Sequence, residues 1–331
     1  MISIFYGTRP EYIKLHKLYN ELKSNKFICE FVKVQQHTTL IDSCEFDRCI
    51  NVKSGNNRLN TIVQNCLKNN IFEKNTKLVI VQGDTATAFA VALNAFNSKI
   101  PVAHIEAGLR TWDNDNPYPE ETYRRCISSI ADLHFCVSEL NKKTLLTEKV
   151  NGKVYVVGNT VLDNLNIDGI EYGNVVPITL HRRENRHQIE QLLIELDFFV
   201  EKYKHLKFVY LKHPAVDIKY NFKNIIVVPP LNYNDMIDMI KKCKFIITDS
   251  GGIQEEASFL KKKTLVVRKE TERSEGLGTF SFLSPDIESI KNGICRLDKY
   301  YEIDEPCPYG DGNAVTNIVK VLRNLYQDEN I

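Results

Sequence analysis

The sequence predicts an α/β protein made of two Rossmann-like domains, each built around a parallel sheet. Three observations lead to this prediction. Short apolar, β-branched runs alternate with helical patterns along the chain. Small or charged residues directly follow those runs, as they do at the carboxyl ends of strands in open α/β sheets. A polar, glycine-containing segment from Asp163 to Asn174 divides the series into two halves.

The predicted strands are apolar on both faces, as expected when helices cover both sides of a sheet. Those of the first half are Ile2–Tyr6, Phe31–Val34, Leu78–Val81, Val102–Ile105, Leu133–Val137 and Val154–Val157. Those of the second half are Val175–Leu180, Phe208–Leu211, Ile225–Val228, Phe245–Thr248 and Leu265–Val267. Apolar residues at helical spacing from Asn313 to Tyr326 predict a final amphipathic helix that packs on the rest of the protein.

Composition limits the class of function. With 331 residues, 43% hydrophobic and 26% charged, the chain is long enough for two globular domains. Its formal net charge of +1 disfavours nucleic acid or an acidic membrane surface as a partner. Nine cysteines without a CxxC pair predict buried free thiols in a reducing compartment and no zinc site. Because the sequence has no basic leader and no apolar run of membrane-spanning length, we expect a cytoplasmic protein.

The stretch from His104 to Arg125 is the most informative part of the chain. Glu106 directly follows a predicted buried strand, where a carboxylate is costly unless a partner or a reaction requires it. Glu120 opens the next helix and stands at i and i+4 with Arg124. This arrangement suits an acid or base held beside a cation. The adjacent Glu121 is interpreted as a complement to the helix dipole.

Asp84 follows the third predicted strand and has two interpretations. Its side chain could N-cap the helix from Thr85 to Asn97, or it could be a catalytic carboxylate. Because Glu106 follows a neighbouring strand, catalysis is favoured. Together with Glu120, these side chains supply three carboxylates for general acid/base chemistry on a carbon acid.

The first strand runs into Gly7-Thr8-Arg9-Pro10-Glu11, which opens a helix. Gly7 permits a tight turn, while Arg9 and Lys14 place cations beside the helix N-terminus. That combination favours a phosphate or diphosphate. A plain turn with surface cations is the alternative for any single loop of this kind.

In the second half, the segment from Thr248 to Glu256 leads from a strand into a helix. Backbone N–H groups at Ser250, Gly251 and Gly252, with the serine hydroxyl, predict an anion site at the helix N-terminus. Glu256 lies one turn further in, within reach of a ribose diol below such a phosphate. The alternative for Glu256 is an ordinary charge on the helix surface.

Two histidines and two arginines follow strands of the same half, which suits binding of a diphosphate leaving group. His181, Arg182 and Arg183 follow one predicted strand, and His213 follows the next. Arg273 is a further cation after the last predicted strand.

Taken in order, these motifs closely resemble those of the non-hydrolysing UDP-N-acetylglucosamine 2-epimerases. The resemblance covers nearly the whole chain. It implies a GT-B fold, in which two Rossmann-like domains face each other across a cleft and the C-terminal helix crosses back onto the first domain. The implied domains are 1–165 with 313–331, and 166–312. The motifs are GTRPE at 7–11, QGDT at 82–85, HIEAGLRTWD with PYPEE at 104–121, GNT at 158–160, HRREN at 181–185, TDSGGIQEEA at 248–257, TER at 271–273 and PYGDG at 308–312.

The resemblance also implies the chemistry. UDP-GlcNAc and UDP-ManNAc interconvert by loss of the C2 proton and of UDP to give 2-acetamidoglucal, followed by re-addition of UDP and protonation from the other face. No metal or nicotinamide cofactor is implied, and a homodimer is expected. Residues matching the family's catalytic positions are Asp84, Glu106, Glu120, Arg124 and His181; those matching its substrate and UDP-binding positions are Arg9, Lys14, His213, Ser250, Gly251, Gly252, Glu256 and Arg273.

The chain departs from the family pattern in several places. Leu180 replaces the usual small residue before HRRE, Ser274 interrupts TERPE, and the segment from Asn159 to His181 is short. In bacterial members of the family, a second UDP-GlcNAc binds as an activator near a Gln-His-Arg segment and an Arg-Gln pair. Here these read Gln36-His37-Thr38 and Asn56-Asn57, which predicts weak or absent activation.

Alternatives remain at this stage. The substrate could be a UDP-2-acetamido-2,6-dideoxy-L-hexose, or water could replace UDP in the second step and release free ManNAc. A GT-B glycosyltransferase would need an acceptor site and would not require three carboxylates around C2. A nucleotide-sugar-binding module without catalysis is disfavoured, because all candidate catalytic positions are filled.

Overall fold

The computed structural model describes residues 1–35, 44–53, 55–68, 71–182, 188–214, 216–299 and 301–326. The chain divides into two compact units. Unit 1 comprises Met1–Asn164 with Gly310–Ile331, and unit 2 comprises Leu165–Tyr309. Within the described residues, no helix combines the length and the apolar character needed to cross a bilayer.

Unit 1 contains a seven-stranded parallel sheet in the order β3-β2-β1-β4-β5-β6-β7. Its strand order reverses between β1 and β4, the point at which open α/β sheets bind ligands. The elements in chain order are β1 (Ile2–Tyr6), α1 (Arg9–Ser24), β2 (Cys29–Gln35), β3 (Arg48–Asn51), α2 (Arg58–Lys68), β4 (Leu78–Gln82), α3 (Ala86–Asn97), β5 (Val102–Ala107), α4 (Glu120–Ile130), β6 (Leu133–Cys136), α5 (Glu139–Glu148) and β7 (Lys153–Val156).

Unit 2 contains a six-stranded parallel sheet in the order β10-β9-β8-β11-β12-β13, which reverses between β8 and β11. A short 3₁₀ turn at Leu162–Asn164 precedes it. Its elements are β8 (Val175–Thr179), α6 (Ile189–Val200), β9 (Lys207–Leu211), β10 (Ile225–Val228), α7 (Tyr233–Lys242), β11 (Ile246–Thr248), α8 (Gly251–Phe259), β12 (Thr264–Val266), a 3₁₀ turn (Ser274–Gly276), β13 (Ser281–Leu283) and α9 (Ile287–Leu297).

The last helix, α10 (Ala314–Leu325), packs against α1 in the core of unit 1. Its apolar stripe includes Ile318 and Leu322, which are buried with Leu15 and Leu18 of α1. The predicted amphipathic helix is therefore confirmed, and its partner is the first helix of the chain.

Alternate side chains of each strand enter cores on opposite faces of the sheet. Ile4 of β1 lies in the core under α1 and α10, whereas its neighbour Phe5 lies in the core under α2 and α3. In unit 2, Ile247 of β11 packs under α6 and α9, and Ile246 packs with α7 and α8. Two helix-covered parallel sheets in one chain confirm the predicted GT-B fold class.

Sequence reasoning missed one edge strand in each sheet, β3 and β13. Both are short, and β3 reads Arg-Cys-Ile-Asn, so neither shows the long apolar run of a central strand. The prediction that the cysteines are buried is also wrong in part. Cys126 and Cys295 are exposed because they lie on the outer faces of α4 and α9.

Candidate functional site

The residues with candidate chemistry in unit 1 follow β1, β4 and β5. These strands are neighbours in the sheet, with β4 paired to both of the others. Since parallel strands end at the same edge, the side chains that follow them come together there. Within unit 1, the sheet thus brings Lys14, Asp84 and Glu106 to one edge beside the reversal of strand order.

Glu106 is placed by a bulge in β5. Pairing with β6 shifts register between Ile105 and Ala107, and Glu106 itself has a φ of +64°. A left-handed backbone at a non-glycine residue is strained, and bulges next to functional sites re-aim side chains. The carboxylate is 8% exposed at residue level and accepts hydrogen bonds from Lys14 Nζ and Gln82 Nε2. Glu106 therefore has the partners that its burial requires.

Asp84 does not cap the following helix, so the capping interpretation is wrong. The N-cap of α3 is Thr85, whose hydroxyl accepts the N–H of Ala88 at 3.1 Å. The carboxylate of Asp84 instead accepts a hydrogen bond from Arg124 Nη2. Arg124 is one helical turn after Glu120, the first residue of α4. Asp84 is thus a direct partner of the cation, whereas the predicted pairing of Glu120 with Arg124 stays a prediction.

A buried histidine supports the turn that carries Asp84. His104 Nε2 donates to the carbonyl oxygen of Gly83 at 2.8 Å, and Gly83 adopts a φ of +70°. Burial lowers the pKa of His104 to about 3, so the imidazole is neutral near pH 7. A neutral histidine with its proton on Nε2 fixes the Gly83 peptide, and with it the direction of the next residue.

The N-terminus of α1 is filled by a side chain of the protein. Glu11 accepts the N–H groups of Gly7 (2.9 Å) and Thr8 (2.7 Å), and also the hydroxyl of Thr85 (2.6 Å). Burial raises the pKa of Glu11. An internal carboxylate therefore occupies these backbone groups, and the phosphate predicted beside Arg9 and Lys14 stays a prediction. Arg9 is exposed, and its contact with a ligand stays a prediction.

The N-terminus of α8 in unit 2 is arranged differently. Ser250 donates its N–H to Thr248 Oγ1 at 3.0 Å, so this group is not free for an anion as expected. The Ser250 side chain makes no capping bond. A Cβ built on Gly252 would have no neighbouring atom within 4 Å, so this turn of the helix faces open space. The first turn of α8 thus leaves room for a ligand beside Gly252.

Arg273 stands directly behind this helix end. Its guanidinium carbon would lie 2.8 Å from a Cβ on Gly251, so a side chain at that position would displace the guanidinium. Nε donates to Glu255 at 3.0 Å and Nη1 donates to Glu272. Glu272 also accepts from Arg268 at 2.7 Å. Two buried carboxylates therefore fix the position of Arg273, and its contact with a nucleotide stays a prediction.

The two predicted histidines of unit 2 meet. The rings of His181 and His213 stack with centroids 5.2 Å apart. The fully buried Asp249 accepts the backbone N–H groups of His181 and Arg182, each at 2.9 Å. Its other oxygen lies 3.3 Å from His181 Nδ1. Asp249 thus holds the end of β8 and faces the imidazole.

Glu256 is buried, so its interpretation as an ordinary surface charge is wrong. Burial and the neighbouring charge of Glu256 raise the pKa of Tyr233 on α7. The predicted contact of Glu256 with a ribose stays a prediction.

Three residues important to this geometry were not singled out from sequence. They are Glu11, Gln82 and Asp249. Gln82 and Asp249 each adjoin the end of a strand, and that position was the available signal. Glu11 occupies the third position of α1 after Thr8, the spacing of a capping box, and the structure shows that box.

Some residues named from the sequence lie outside the described residues, and others have a structural role. Arg183 and the rest of its motif, and Gln36-His37-Thr38, lie outside the described residues. Asn57 accepts the N–H of Asn60 at 3.1 Å and so caps the start of α2. Among the described residues, no group of three or more His, Cys, Asp or Glu side chains is placed to hold a metal ion.

A chain with two sheets of this strand order is a GT-B protein, and the paired carboxylates at one strand edge are typical of an enzyme that moves protons. The chain belongs to the UDP-N-acetylglucosamine 2-epimerase family. The model of that family matches residues 41–323.

Individual relatives cover nearly the whole chain. The UDP-N-acetylglucosamine 2-epimerase of Bacillus subtilis is 34% identical over 97% of this chain and 94% of its own length. The crystal structure of the Neisseria meningitidis enzyme bound to UDP-GlcNAc matches with a TM-score of 0.87 and 32% identity, covering 98% of this chain and 99% of that one. The Methanocaldococcus jannaschii enzyme in complex with UDP-GlcNAc and UDP matches with a TM-score of 0.84 and 28% identity over 98% and 99%.

Proposed function

We propose that this protein is a non-hydrolysing UDP-N-acetylglucosamine 2-epimerase that interconverts UDP-GlcNAc and UDP-ManNAc. The observation that carries the proposal is the strand edge of unit 1, where Glu106 is held by Lys14 and Gln82, and Asp84 by Arg124. The relatives in Neisseria and Methanocaldococcus were crystallised with UDP-GlcNAc, which supports the same substrate here.

The proposed reaction has two balanced steps. A carboxylate removes the C2 proton, the C1–C2 double bond forms, and the C1–O bond breaks with its electron pair leaving on UDP. UDP oxygen then adds to C1 while an acid protonates C2 on the opposite face. Glu106, Asp84 and Glu120 supply the acids and bases, and Arg124 stabilises the charge beside them. Nothing is oxidised or reduced overall, so the proposed reaction uses no cofactor.

We assign the diphosphate to unit 2. The open turn of α8 at Gly252 offers backbone N–H groups on the positive end of a helix dipole, and the Ser250 hydroxyl adjoins it. His181 and His213 are candidates to receive the negative charge that develops on UDP as the C1–O bond breaks. Glu256, buried on the same helix, is the candidate partner of the ribose hydroxyls.

The test is proton NMR of the purified protein with UDP-GlcNAc in D₂O. We expect UDP-ManNAc to appear, with deuterium at C2 of the sugar. Release of free ManNAc would instead support a hydrolysing enzyme. Absence of both exchange and product in a folded protein would contradict the proposed substrate, and the same assay with a UDP-2-acetamido-2,6-dideoxy-L-hexose would then test the alternative.

We further propose that the protein acts as a cytoplasmic homodimer and that its UDP-ManNAc is used for a surface polysaccharide. Size-exclusion chromatography with light scattering should then give a mass of about twice the chain mass of 38.1 kDa. A mass equal to that of one chain would contradict the dimer.

A further inference from the structure

Glu121 is fully buried although it lies next to the candidate catalytic residue Glu120 in the first turn of α4. Its oxygens accept the backbone N–H groups of Thr111 at 3.0 Å and Trp112 at 3.2 Å. A carboxylate that only complements a helix dipole can remain in water, whereas complete burial must be compensated by specific partners. The dipole interpretation is thus insufficient, because Glu121 binds a loop that precedes its own helix.

The same carboxylate faces the candidate catalytic cation. Arg124 Nη1 lies 3.5 Å from Glu121 Oε2, and Nη2 of the same guanidinium donates to Asp84. The planar guanidinium therefore stands between two carboxylates, one from the end of β4 and one from its own helix. A hydrogen bond to Asp84 and an ion pair with Glu121 thus restrain the orientation of the guanidinium.

The loop held by Glu121 is strained. Trp112 has a φ of +65°, which is a true outlier for a bulky residue, and the residue is 62% exposed. Strained backbone persists only where its surroundings enforce it. Here the two hydrogen bonds to Glu121 restrain the peptides on either side of Thr111. The carboxylate of Glu121 therefore restrains the loop conformation and also forms an ion pair with Arg124.

We propose that Glu121 is a positioning residue that orients Arg124 against Asp84 and couples this pair to the loop at Thr111 and Trp112. The inference rests on the proposed function of the same site. A substrate that engages Arg124 or Asp84 changes the charge facing Glu121. That change alters the restraint on the loop and therefore the surroundings of the Trp112 indole.

The experiment compares Glu121→Gln with Glu139→Gln. Glu139 also lies in the first turn of a helix, but its side chain is 79% exposed and its ion-pair partner is Lys142 at 3.9 Å. Trp112 is the only tryptophan of the chain, so intrinsic fluorescence reports on the loop alone. The measurements are kcat and KM for UDP-GlcNAc, the emission spectrum, and its change when UDP-GlcNAc is added.

For E121Q we expect a 10- to 100-fold lower kcat with KM changed less than threefold, because the substitution disorders a group that acts in the transition state. Its emission should shift, and the change in emission on addition of UDP-GlcNAc that we expect of the wild-type protein should be lost. E139Q should match the wild type in every measurement. Wild-type kcat and emission in E121Q would overturn the proposal, and so would equal effects of E121Q and E139Q.

A second variant separates rate from folding. Trp112→Gly in the E121Q background removes the backbone strain, since glycine adopts a positive φ readily. We expect E121Q to lose thermal stability and the double variant to regain it, while kcat stays low in both. Recovery of kcat as well would overturn the positioning of Arg124 and leave only a structural role. If the wild-type protein itself does not act on UDP-GlcNAc, the proposed function fails, but the emission and stability of E121Q and E139Q still test the coupling.

Discussion

Helices α1 and α8 each begin directly after a strand that borders the reversal of its sheet, although on opposite sides of it, and their N-termini are used differently. At α1 the third helical residue is Glu11, which accepts the N–H groups of Gly7 and Thr8. At α8 the third residue is Ile253, which has no acceptor, and the turn at Gly252 is open. The side chain at the third helical position therefore decides whether the helix N-terminus is capped by the protein itself or is open to an anion.

The difference separates two kinds of chemistry. Unit 1 places carboxylates at strand and helix ends, which suits proton transfer. One of them, Glu11, occupies the backbone donors at the start of α1. Unit 2 leaves a helix dipole with an open first turn, which suits a diphosphate. Four substitutions can break or sharpen this comparison, and they follow from the largest expected effect to the smallest.

Replacement of Glu106 by Gln should have the largest effect. If the strand edge of unit 1 performs the proton transfer, kcat should fall by about 10²- to 10⁴-fold, with UDP affinity unchanged. The matched control is Glu30→Gln, which removes a carboxylate of equal exposure (8%) from β2 of the same sheet. Glu30 binds Arg48 at 2.8 Å, so E30Q should lose stability but keep activity. Deuterium exchange at C2 measures both variants, and full exchange in E106Q would contradict the assignment.

Replacement of Glu11 by Gln tests the capping of α1 by a side chain of unit 1. An amide places an N–H₂ group against donors that now bind a carboxylate, so we expect a loss of about 2–3 kcal/mol in the free energy of unfolding. Activity should also fall, because Thr85 and the adjacent Asp84 lose their anchor. Urea denaturation and kcat report the two effects.

The control for Glu11 is Asp197→Asn in unit 2. Asp197 is a buried carboxylate that accepts the N–H groups of Lys223, Asn224 and Ile225, away from either reversal of strand order. D197N should therefore lose stability without loss of kcat measured below its melting temperature. If E11Q behaves in the same way as D197N, Glu11 has no influence on the site.

Gly252→Ala tests the open helix end. The added methyl group meets no protein atom within 4 Å, and alanine is a better helix former, so stability should rise by up to about 1 kcal/mol. UDP affinity measured by calorimetry should fall about tenfold, a loss of about 1.4 kcal/mol, because the methyl group occupies the space of the anion. Unchanged affinity would show that the diphosphate binds elsewhere.

Asp163→Asn has the smallest expected effect on activity and extends the comparison to a second helix end of unit 1. Asp163 accepts the N–H groups of Ala314 (3.1 Å) and Val315 (2.9 Å) at the start of α10. Burial raises its pKa from 3.8 to about 6. The folded state thus binds this proton more tightly than the unfolded state. The associated stabilisation is complete below about pH 4 and is lost as pH rises through about 6.

The stability of the wild-type protein relative to D163N should therefore decrease between about pH 4 and 7. A shift of this size is worth at most about 3 kcal/mol, because each pKa unit corresponds to about 1.4 kcal/mol. Urea midpoints of both proteins across this range provide the measurement. Parallel pH profiles would be inconsistent with a titrating Asp163.

The sequence by itself determined the two parallel sheets, their central strands and the strand ends that carry Asp84, Glu106 and His181. These features depend on local patterns: apolar runs, helical spacing and the residue types that follow a strand. The ordered motifs likewise indicated the family before any geometry was known. The short edge strands β3 and β13 were not predicted, because runs of four and three residues are too short to show a strand pattern.

Only the tertiary structure decided which charge meets which partner. Lys14 and Glu106 are 92 residues apart in sequence, and Asp84 and Arg124 are 40 apart. Glu11, for which no partner was predicted from the sequence, takes the backbone donors of its helix end, and Glu121, expected only to complement a dipole, holds a strained loop. Helix and strand patterns are properties of neighbouring residues. The pairing of buried charges is instead set by which strand ends adjoin in the folded sheet.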